Sequence, residues 1–373
     1  MLELADIFRE GGPAYRQAHG SRMLPSHLRA MRDIEACRTA ALGGHLRACD
    51  HCGQRQYAYH SCRNRHCPKC HGDQTRRWLD HTRSHLLPCP YFLATFTLPA
   101  ELRPLARSHQ KVFYGLLMRA AAEALLKLTA DPDYLGARPG LLAVLHTWTR
   151  AMAYHPHVHI LVTAGGWREG HAPGWIPSKR PDFLVPGRAL SILFRAKLRD
   201  ALRHAGLADR VPPQVWRKDW VVHLQHAGSG DKVLEYLARY VFRIALVNSR
   251  LERFENGQVT FRFRDGRSGK TQHCTLEAAA FIARFLQHVL PQGFSKVRHY
   301  GLFSPSRKPL LDQARAELVA SSVARLPPEP VAVDAPPDIT VDAVSADNRT
   351  RCPSCGVGVM HVIDTLPRSR PPP

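Results

Sequence analysis

Acidic residues are scarce in this chain of 373 residues, which has 31 Asp and Glu against 52 Lys and Arg. The resulting net charge of +21 and a pI near 10 favour a polyanionic partner, because Lys and Arg neutralise phosphates and release their counterions. The charge by itself does not distinguish DNA from RNA, and it also suits a ribosome or an anionic membrane surface.

Long hydrophobic runs are missing too, since no stretch reaches the roughly 18 apolar residues of a membrane-spanning helix. The first residues, MLELAD, lack a basic region followed by an apolar stretch, so no secretory signal is expected. In a reducing compartment the ten cysteines are expected to bind metal rather than form disulfides. We therefore expect a cytoplasmic, nucleoid-associated bacterial protein without a membrane partner, long enough for two or three domains.

Two C-x-x-C pairs lie in the N-terminal part of the chain. Cys49 and Cys52 form the first pair, and Cys67 and Cys70 form the second after fourteen intervening residues. This spacing predicts one tetrahedral zinc ion in a ribbon-like module, expected over residues 1–88.

The same module contains further ligand types, which offer a second zinc site. They are Cys37, His45, Cys62 and His66. The alternative is that Cys62 is a small buried residue and that the histidines contact DNA or solvent. Basic residues beside the cysteines have the composition of a phosphate-binding surface, and those expected to contact DNA are Arg63, Arg65 and Lys69.

From residue 90 onward the hydrophobic pattern alternates between strands and helices. Strands are predicted at 91–98, 141–148, 156–163 and 219–225, and helices at 101–128 and 187–206. The order β-α-β-β-α-β is that of a ferredoxin-like sheet. The sequence therefore predicts an α+β protein in which a second domain, over residues 89–310, follows the zinc-binding module.

The most informative segment of this domain is HPHVH at residues 155–159. Side chains alternate along a strand, so His157 and His159 point to one face, where two imidazoles can hold a divalent metal ion. A histidine pair that packs in the core or at the surface is the alternative reading.

A third metal ligand follows from the hairpin between the second and third strands. If Trp148 pairs with His155, His146 pairs with His157 and shares its face, which makes His146 the predicted third ligand. His223 on the fourth strand lies farther across the predicted sheet.

Two tyrosines follow on a helix predicted at residues 231–246. Tyr236 and Tyr240 share one helix face, and Arg239 and Arg243 lie beside them at a spacing that can meet a phosphate. A core-facing aromatic pair is the alternative. A tyrosine with a pKa of about 10 is a weak nucleophile at neutral pH, and a metal ion with nearby arginines compensates by stabilising the developing charge. The pattern favours a metal-assisted tyrosine nucleophile that acts on DNA.

Several blocks, taken together and in this order, resemble the HUH-type transposases of the insertion-sequence-91 family. The blocks are CRT (37–39), GGH (43–45), SCRNRHCPKC (61–70), HPHVH (155–159), YLARYVFR (236–243), Arg250, VTFR (259–262), LPQGF (290–294) and RHYG (298–301). The resemblance covers most of residues 30–310, and a series of independent blocks is more specific than any one motif.

The resemblance implies a single-strand endonuclease and strand transferase that moves an insertion sequence by a rolling-circle route. Its partners are then the single-stranded DNA at the element's ends and the target DNA. Carried over, His157 and His159 bind Mg²⁺ or Mn²⁺, and Tyr236 and Tyr240 are the nucleophiles of an HUH nuclease domain. One tyrosine forms a 5′-phosphotyrosine and frees a 3′-hydroxyl, and the second allows a further strand exchange without ATP.

In the C-terminal part of the chain, residues 326–350 are rich in Pro, Ala, Val and Asp and poor in basic residues. Residues 311–350 are predicted to be a linker, followed by a flexible tail at 351–373 that contains Cys352 and Cys355. One pair gives only two thiolates, so a zinc site here requires His361 and a distant partner, or ligands from elsewhere in the fold. A reduced cysteine pair in a mobile tail is the alternative.

Other protein classes share some of these features. A rolling-circle replication initiator or a conjugative relaxase uses similar histidines and tyrosines, and the DNA that flanks the gene distinguishes it from a transposase. A non-catalytic zinc-ribbon protein binds DNA without forming a covalent adduct. A tyrosine recombinase is disfavoured, because the chain has no convincing Arg…His-x-x-Arg…Tyr arrangement.

Overall fold

The computed structural model describes the chain at residues 2–70, 78, 82, 86–229, 245–266, 268–322 and 351–369. The chain forms two compact units. The first comprises Met1–Gln74, Leu246–Val289 and Ala332–Pro373, and the second comprises Thr75–Ala245 and Leu290–Val331.

The described chain combines helices with antiparallel strands, which confirms the predicted α+β class. The helices with described bounds are α1 (Leu4–His19), α2 (Pro25–Ala36), α3 (Arg103–Ser108), α4 (Gln110–Thr129), α5 (Gly187–His204), α6 (Ala278–Leu286) and α7 (Lys308–Ser322). The strands are β1 (Gly44–Cys49), β2 (Arg55–Tyr59), β3 (Pro90–Thr97), β4 (Gly140–Trp148), β5 (Tyr154–Thr163), β6 (Gly165–Arg168), β7 (Gly174–Pro177), β8 (Val222–Ser229), β9 (Leu251–Glu255), β10 (Gln258–Arg264), β11 (Thr271–Glu277), β12 (Val297–Gly301) and β13 (Met360–Leu366).

The first unit combines helices with two small sheets of strand order β13-β1-β2 and β11-β10-β9. Helix α1 begins with a capping box, in which Glu3 and Asp6 satisfy each other's backbone N–H groups. Its Phe8 packs edge-on against Phe285 of α6 at 5.5 Å between ring centroids. This packing explains why residues 246–289, predicted to lie in the central domain, group with the N-terminal module instead.

The second unit is built on a five-stranded sheet of order β12-β4-β5-β3-β8, with every neighbouring pair antiparallel. Helices α3 and α4 connect β3 to β4, and α5 lies between β5 and β8. The predicted order β-α-β-β-α-β is therefore present. The short hairpin of β6 and β7 is inserted before α5, and β12 extends the sheet beside β4.

Each face of this sheet buries a different set of side chains. On one face, residues of β3, β4 and β5 pack against α4 and α5, with Phe96 edge-on to Phe194 at 5.0 Å. On the other face, Val144 and Leu161 share a core with Leu311 and Ala314 of α7. The histidines of β4 and β5 lie on this second face, because side chains two positions apart on a strand share a face. His146 is two positions from Val144, and His159 is two positions from Leu161.

Two predicted boundaries differ from the structure. The helix predicted at residues 101–128 breaks at His109, whose φ of −125° is not helical, and this separates α3 from α4. The linker predicted at 311–350 begins as helix, because α7 runs to residue 322 and buries its apolar side chains in the second unit. Residues 323–350 lie outside the described residues. In the part of the chain that the structure describes, no helix combines the length and apolar composition needed to cross a bilayer.

Candidate metal centres

Three histidines of the central sheet come together as one cluster. The ring nitrogens of His146, His157 and His159 that would bind a metal all lie within 4.8 Å of one another. Ring centroids are 5.3 Å apart for His146 and His157, 4.7 Å for His146 and His159, and 4.9 Å for His157 and His159. His146 is 2 % exposed and His159 is 8 % exposed, so the cluster is largely shielded from water.

Strand pairing explains how the three residues meet. His157 and His159 are two apart on β5, and His146 on β4 pairs directly with His157, as the sequence predicts. Trp148 does not pair with His155, however, because an irregularity after His146 shifts the register and places Trp148 opposite Tyr154. The alternative ligand His223 lies on β8, two strands away from β5, and is exposed outside the cluster.

Neighbouring groups orient two of the three rings. Nδ1 of His157 lies 2.7 Å from the backbone oxygen of His155, and Nδ1 of His159 lies 3.0 Å from Oγ1 of Thr95. If each Nδ1 carries the hydrogen and donates it, each Nε2 keeps a lone pair for a metal ion. Metal-binding histidines in proteins usually have such a second partner. The donor set and its supporting contacts therefore fit a divalent metal ion.

The protonation state of His157 and His159 also fits the binding of a metal ion. Burial lowers the pKa of His157 to about 4. Burial, helped by the neighbouring His157, lowers the pKa of His159 to about 3. Both imidazoles are thus neutral at pH 7, which is the form that binds metal.

Two cationic side chains that the sequence did not identify lie near the histidine cluster. Arg103 donates a hydrogen bond of 2.8 Å to Nδ1 of His155. The ammonium group of Lys296 lies 4.9 Å from the centre of the Trp148 ring, and that ring stacks on His146 at 4.9 Å. No local pattern marks either residue, since Lys296 precedes β12, which is far from the histidine strands in sequence. Positive charge at this place suits a phosphate group.

The predicted nucleophiles are not among the residues that the structure describes. Tyr236 and Tyr240, with the neighbouring Arg239 and Arg243, lie in the stretch 230–244, between the end of β8 and residue 245. Their roles therefore stay predictions.

The first cysteine cluster lies in the first unit. It contains Cys37, Cys62, Cys67 and Cys70, with sulfur separations of 3.5 Å for Cys37 and Cys70 and 3.6 Å for Cys62 and Cys70. A tetrahedral zinc ion with Zn–S bonds of about 2.3 Å places its sulfurs about 3.8 Å apart, so the four thiols fit one ion. A hydrogen bond from Cys62 is the main cause that lowers the pKa of the Cys37 thiol to about 7.

The predicted pairing of the two C-x-x-C motifs around one zinc ion is wrong. Cys49 and Cys52 join Cys352 and Cys355 in a second cluster, whereas Cys67 and Cys70 join Cys37 and Cys62. The reason is the β1–β2 hairpin. Its tip carries the first motif, and β2 returns the chain over a distance of about 15 Å to the base before the second motif begins.

The two histidines proposed as zinc ligands belong to neither cluster. His45 lies within β1, where its ring contacts that of His60 edge-on at 4.9 Å between centroids. The backbone N–H of His66 donates to Asn64 Oδ1 at 2.9 Å, a contact that shapes the loop before Cys67. In the described part of the chain, cysteine is thus the ligand type of both zinc-like clusters.

The basic residues beside the cysteines differ in their surroundings. Arg63 and Arg65 are exposed. Lys69, in contrast, forms an ion pair of 2.5 Å with Glu3, and its side chain is only 14 % exposed. It also donates to the backbone oxygen of Cys37 at 3.3 Å. Because its charge is already neutralised, Lys69 supports the first cluster and is a poorer phosphate ligand than the two arginines.

Family models match both units. One, described as "Putative transposase", covers residues 140–309, which include the histidine cluster. The other, described as "Transposase zinc-binding domain", covers residues 7–98, which include the whole first cysteine cluster.

Curated relatives agree with these models. "Putative transposase y4qJ" of Sinorhizobium fredii is 39% identical over 394 residues, which cover 100% of this chain and 97% of the relative. "Transposase for insertion sequence element IS801" of Pseudomonas savastanoi pv. phaseolicola is 31% identical over 308 residues, 74% of this chain and 71% of the relative. No solved structure matches the chain. The two domain matches and the two relatives show that the chain belongs to the insertion-sequence-91 family of transposases.

Proposed function

We propose that this transposase cleaves and rejoins single-stranded DNA at the ends of its insertion sequence through 5′-phosphotyrosine intermediates. It would thereby move the element by a rolling-circle route, with the second unit as a ferredoxin-like HUH nuclease domain. The observation that carries the proposal is the cluster of His146, His157 and His159 on one face of an antiparallel β-α-β-β-α-β sheet.

In the proposed site the three histidines hold one divalent ion, which would supply positive charge to polarise the scissile phosphate. Mg²⁺ prefers oxygen ligands, whereas imidazoles suit transition metals, so the all-nitrogen donor set favours Mn²⁺ over Mg²⁺. Thr95 and the backbone oxygen of His155 keep the rings of His159 and His157 oriented.

The covalent step belongs to the tyrosines of residues 236–240. The hydroxyl oxygen of Tyr236 or Tyr240 forms a bond to phosphorus, the bond from phosphorus to the 3′-oxygen breaks, and the tyrosine proton ends on that 3′-oxygen. Attack by a 3′-hydroxyl on the phosphotyrosine reverses these changes, so rejoining needs no ATP. A second tyrosine allows two strands to be held in turn.

Positive side chains assist this step. Arg239 and Arg243 are proposed to contact the phosphate beside the tyrosines, and Lys296 adds a charge next to the histidine cluster. In the first unit, the exposed Arg63 and Arg65 are proposed to contact the DNA backbone.

The test uses single-stranded oligonucleotides from the ends of the element, labelled at either the 3′ or the 5′ end. With Mn²⁺ or Mg²⁺, a denaturant-resistant adduct should retain the 3′ label and lose the 5′ label, because a 5′-phosphotyrosine holds the downstream strand. His157→Ala combined with His159→Ala should remove the adduct. Adduct formation that survives this double substitution would refute the metal role, and the absence of any adduct with all end sequences would refute the nuclease proposal.

A further inference from the structure

We propose that Cys49, Cys52, Cys352 and Cys355 bind a second zinc ion, which fastens the C-terminal segment 351–369 to the β1–β2 hairpin. The family match to the zinc-binding domain ends at residue 98 and so does not include the segment that supplies two of these ligands. The proposal concerns the first unit and does not depend on the tyrosine chemistry.

The sulfur positions are those of a tetrahedral metal site. The sulfur of Cys49 lies 3.8 Å from that of Cys355, and the sulfur of Cys52 lies 3.6 Å from that of Cys352. All four cysteines are free, and these separations are far longer than the roughly 2.05 Å of a disulfide. They match the spacing of about 3.8 Å expected around zinc with Zn–S bonds of about 2.3 Å.

Backbone N–H groups point at the sulfurs from both sides of the cluster. The N–H groups of His51 and Cys52 donate to Sγ of Cys49 at 3.4 and 3.5 Å, and that of Gly358 donates to Sγ of Cys355 at 3.4 Å. Such donors stabilise the thiolate form of cysteine, which is the form that binds zinc. Each C-x-x-C turn therefore contributes a preorganised pair of ligands.

The two segments also fit each other closely outside the cysteines. Asp50 Oδ1 accepts a hydrogen bond of 2.8 Å from the N–H of Val359, and Asp50 Oδ2 lies 3.2 Å from Nε2 of His361. A Cβ atom at Gly358 would clash with Sγ of Cys49 and would lie only 2.7 Å from Cβ of His51, so a side chain at this position would displace the hairpin tip. Glycine is thus required for the approach of the C-terminal turn to the tip.

The segment has little apolar core to hold it without a metal ion. Strand β13 pairs with β1 from Gly44 opposite Leu366 to Cys49 opposite Met360. Yet Val362 and Ile363 are 52 % and 50 % exposed, and among the described residues the buried cluster around Cys49 consists of Cys49, Cys352 and Met360, with Cys355 packed against it. Because so little apolar surface is buried, zinc binding and docking of this segment should be coupled.

Zinc content tests the proposal on the full chain. The double variant Cys352→Ser/Cys355→Ser, purified without chelator, should bind one zinc ion fewer than the wild type. Cys274→Ser is the matched control, because Cys274 lies in neither cluster, and it should bind as many zinc ions as the wild type. A double variant that binds as many zinc ions as the wild type would overturn the proposal.

Thiol reactivity of the wild-type chain gives a second readout that needs no variant. With zinc present, Cys352 and Cys355 should resist alkylation while Cys274 reacts, and removal of zinc should make the pair reactive. Hydrogen exchange of the β13 amides should become at least about tenfold faster on zinc removal, since docking and binding are coupled. Equal alkylation of Cys352 and Cys355 with and without zinc would contradict the site. So would a rate of hydrogen exchange of the β13 amides that does not change when zinc is removed.

Discussion

His146 pairs directly with His157 across two antiparallel strands, and their ring centroids lie 5.3 Å apart. This pairing turns a two-histidine strand motif into a cluster of three histidines, because His159 follows on the same face. The three rings thus come from two strands that are neighbours both in the chain and in the sheet.

Loss of the third histidine should weaken metal binding strongly. His146→Ala removes one of three proposed ligands, and Mn²⁺ affinity measured by calorimetry should fall by more than about 100-fold, beyond the range of supporting-residue effects. His223→Ala is the control, since His223 is an exposed histidine of the same sheet outside the cluster. Equal affinities for wild type and His146→Ala would place the ion elsewhere.

Removal of the hydrogen bond between His159 and Thr95 should weaken Mn²⁺ binding at the histidine cluster. Thr95→Val keeps the shape of the side chain but removes the acceptor at 3.0 Å from Nδ1 of His159. Supporting contacts of this kind are worth about 10–100-fold in metal affinity. Calorimetry with Mn²⁺ should therefore place Thr95→Val between wild type and His146→Ala, and an affinity equal to wild type would show that Thr95 does not orient the ring.

The charge of Lys296 should act on DNA rather than on the metal ion. Lys296→Met removes the ammonium group above Trp148, so cleavage should slow by about 10-fold or more while Mn²⁺ affinity stays level or rises. Lys111→Met, on the exposed side of α4, should leave both unchanged. If Lys296→Met weakens Mn²⁺ binding but spares cleavage at saturating Mn²⁺, the lysine supports the fold of the site instead.

Helix α5 should stabilise the second unit through its buried face only. Phe194 is fully buried between Phe96 and Trp220, at ring distances of 5.0 and 5.3 Å, so Phe194→Ala should lower the free energy of unfolding by about 3–5 kcal/mol. Ile192→Ala, on the same helix but 47 % exposed, should change it by less than about 0.5 kcal/mol. Urea unfolding followed by tryptophan fluorescence measures both, and equal losses would contradict the packing.

Local patterns in the sequence predict the centre of the histidine site. The alternation of His157 and His159 follows from strand geometry, and the position of His146 follows from a hairpin whose two strands are neighbours in the chain. The shift in strand register between His146 and Trp148 is not predictable in this way, because no residue pattern in the sequence indicates where it occurs.

Local sequence patterns do not predict contacts between segments that are distant in the chain. Thr95 meets His159 only because β3 lies beside β5, and that neighbourhood requires the strand order of the whole sheet. The cysteines show the same effect more strongly. Spacing alone predicts that Cys52 and Cys67 share a zinc ion, whereas in the structure Cys52 lies beside Cys352, 300 positions away in the chain. A C-x-x-C pair identifies zinc ligands well, but it does not identify the partner pair.

The proposed mechanism requires that the histidine cluster assist a tyrosine of residues 236–240 in attacking DNA. The most direct measurement is mass-spectrometric mapping of the covalent protein–DNA adduct formed with Mn²⁺, followed in wild type, Tyr236→Phe, Tyr240→Phe and His157→Ala/His159→Ala. In the wild type the nucleotide should be attached to Tyr236 or Tyr240. In the single tyrosine variants the adduct should move to the remaining tyrosine or be lost, and the histidine variant should form none. An adduct on any other residue, or one that forms in the presence of chelator, would contradict it.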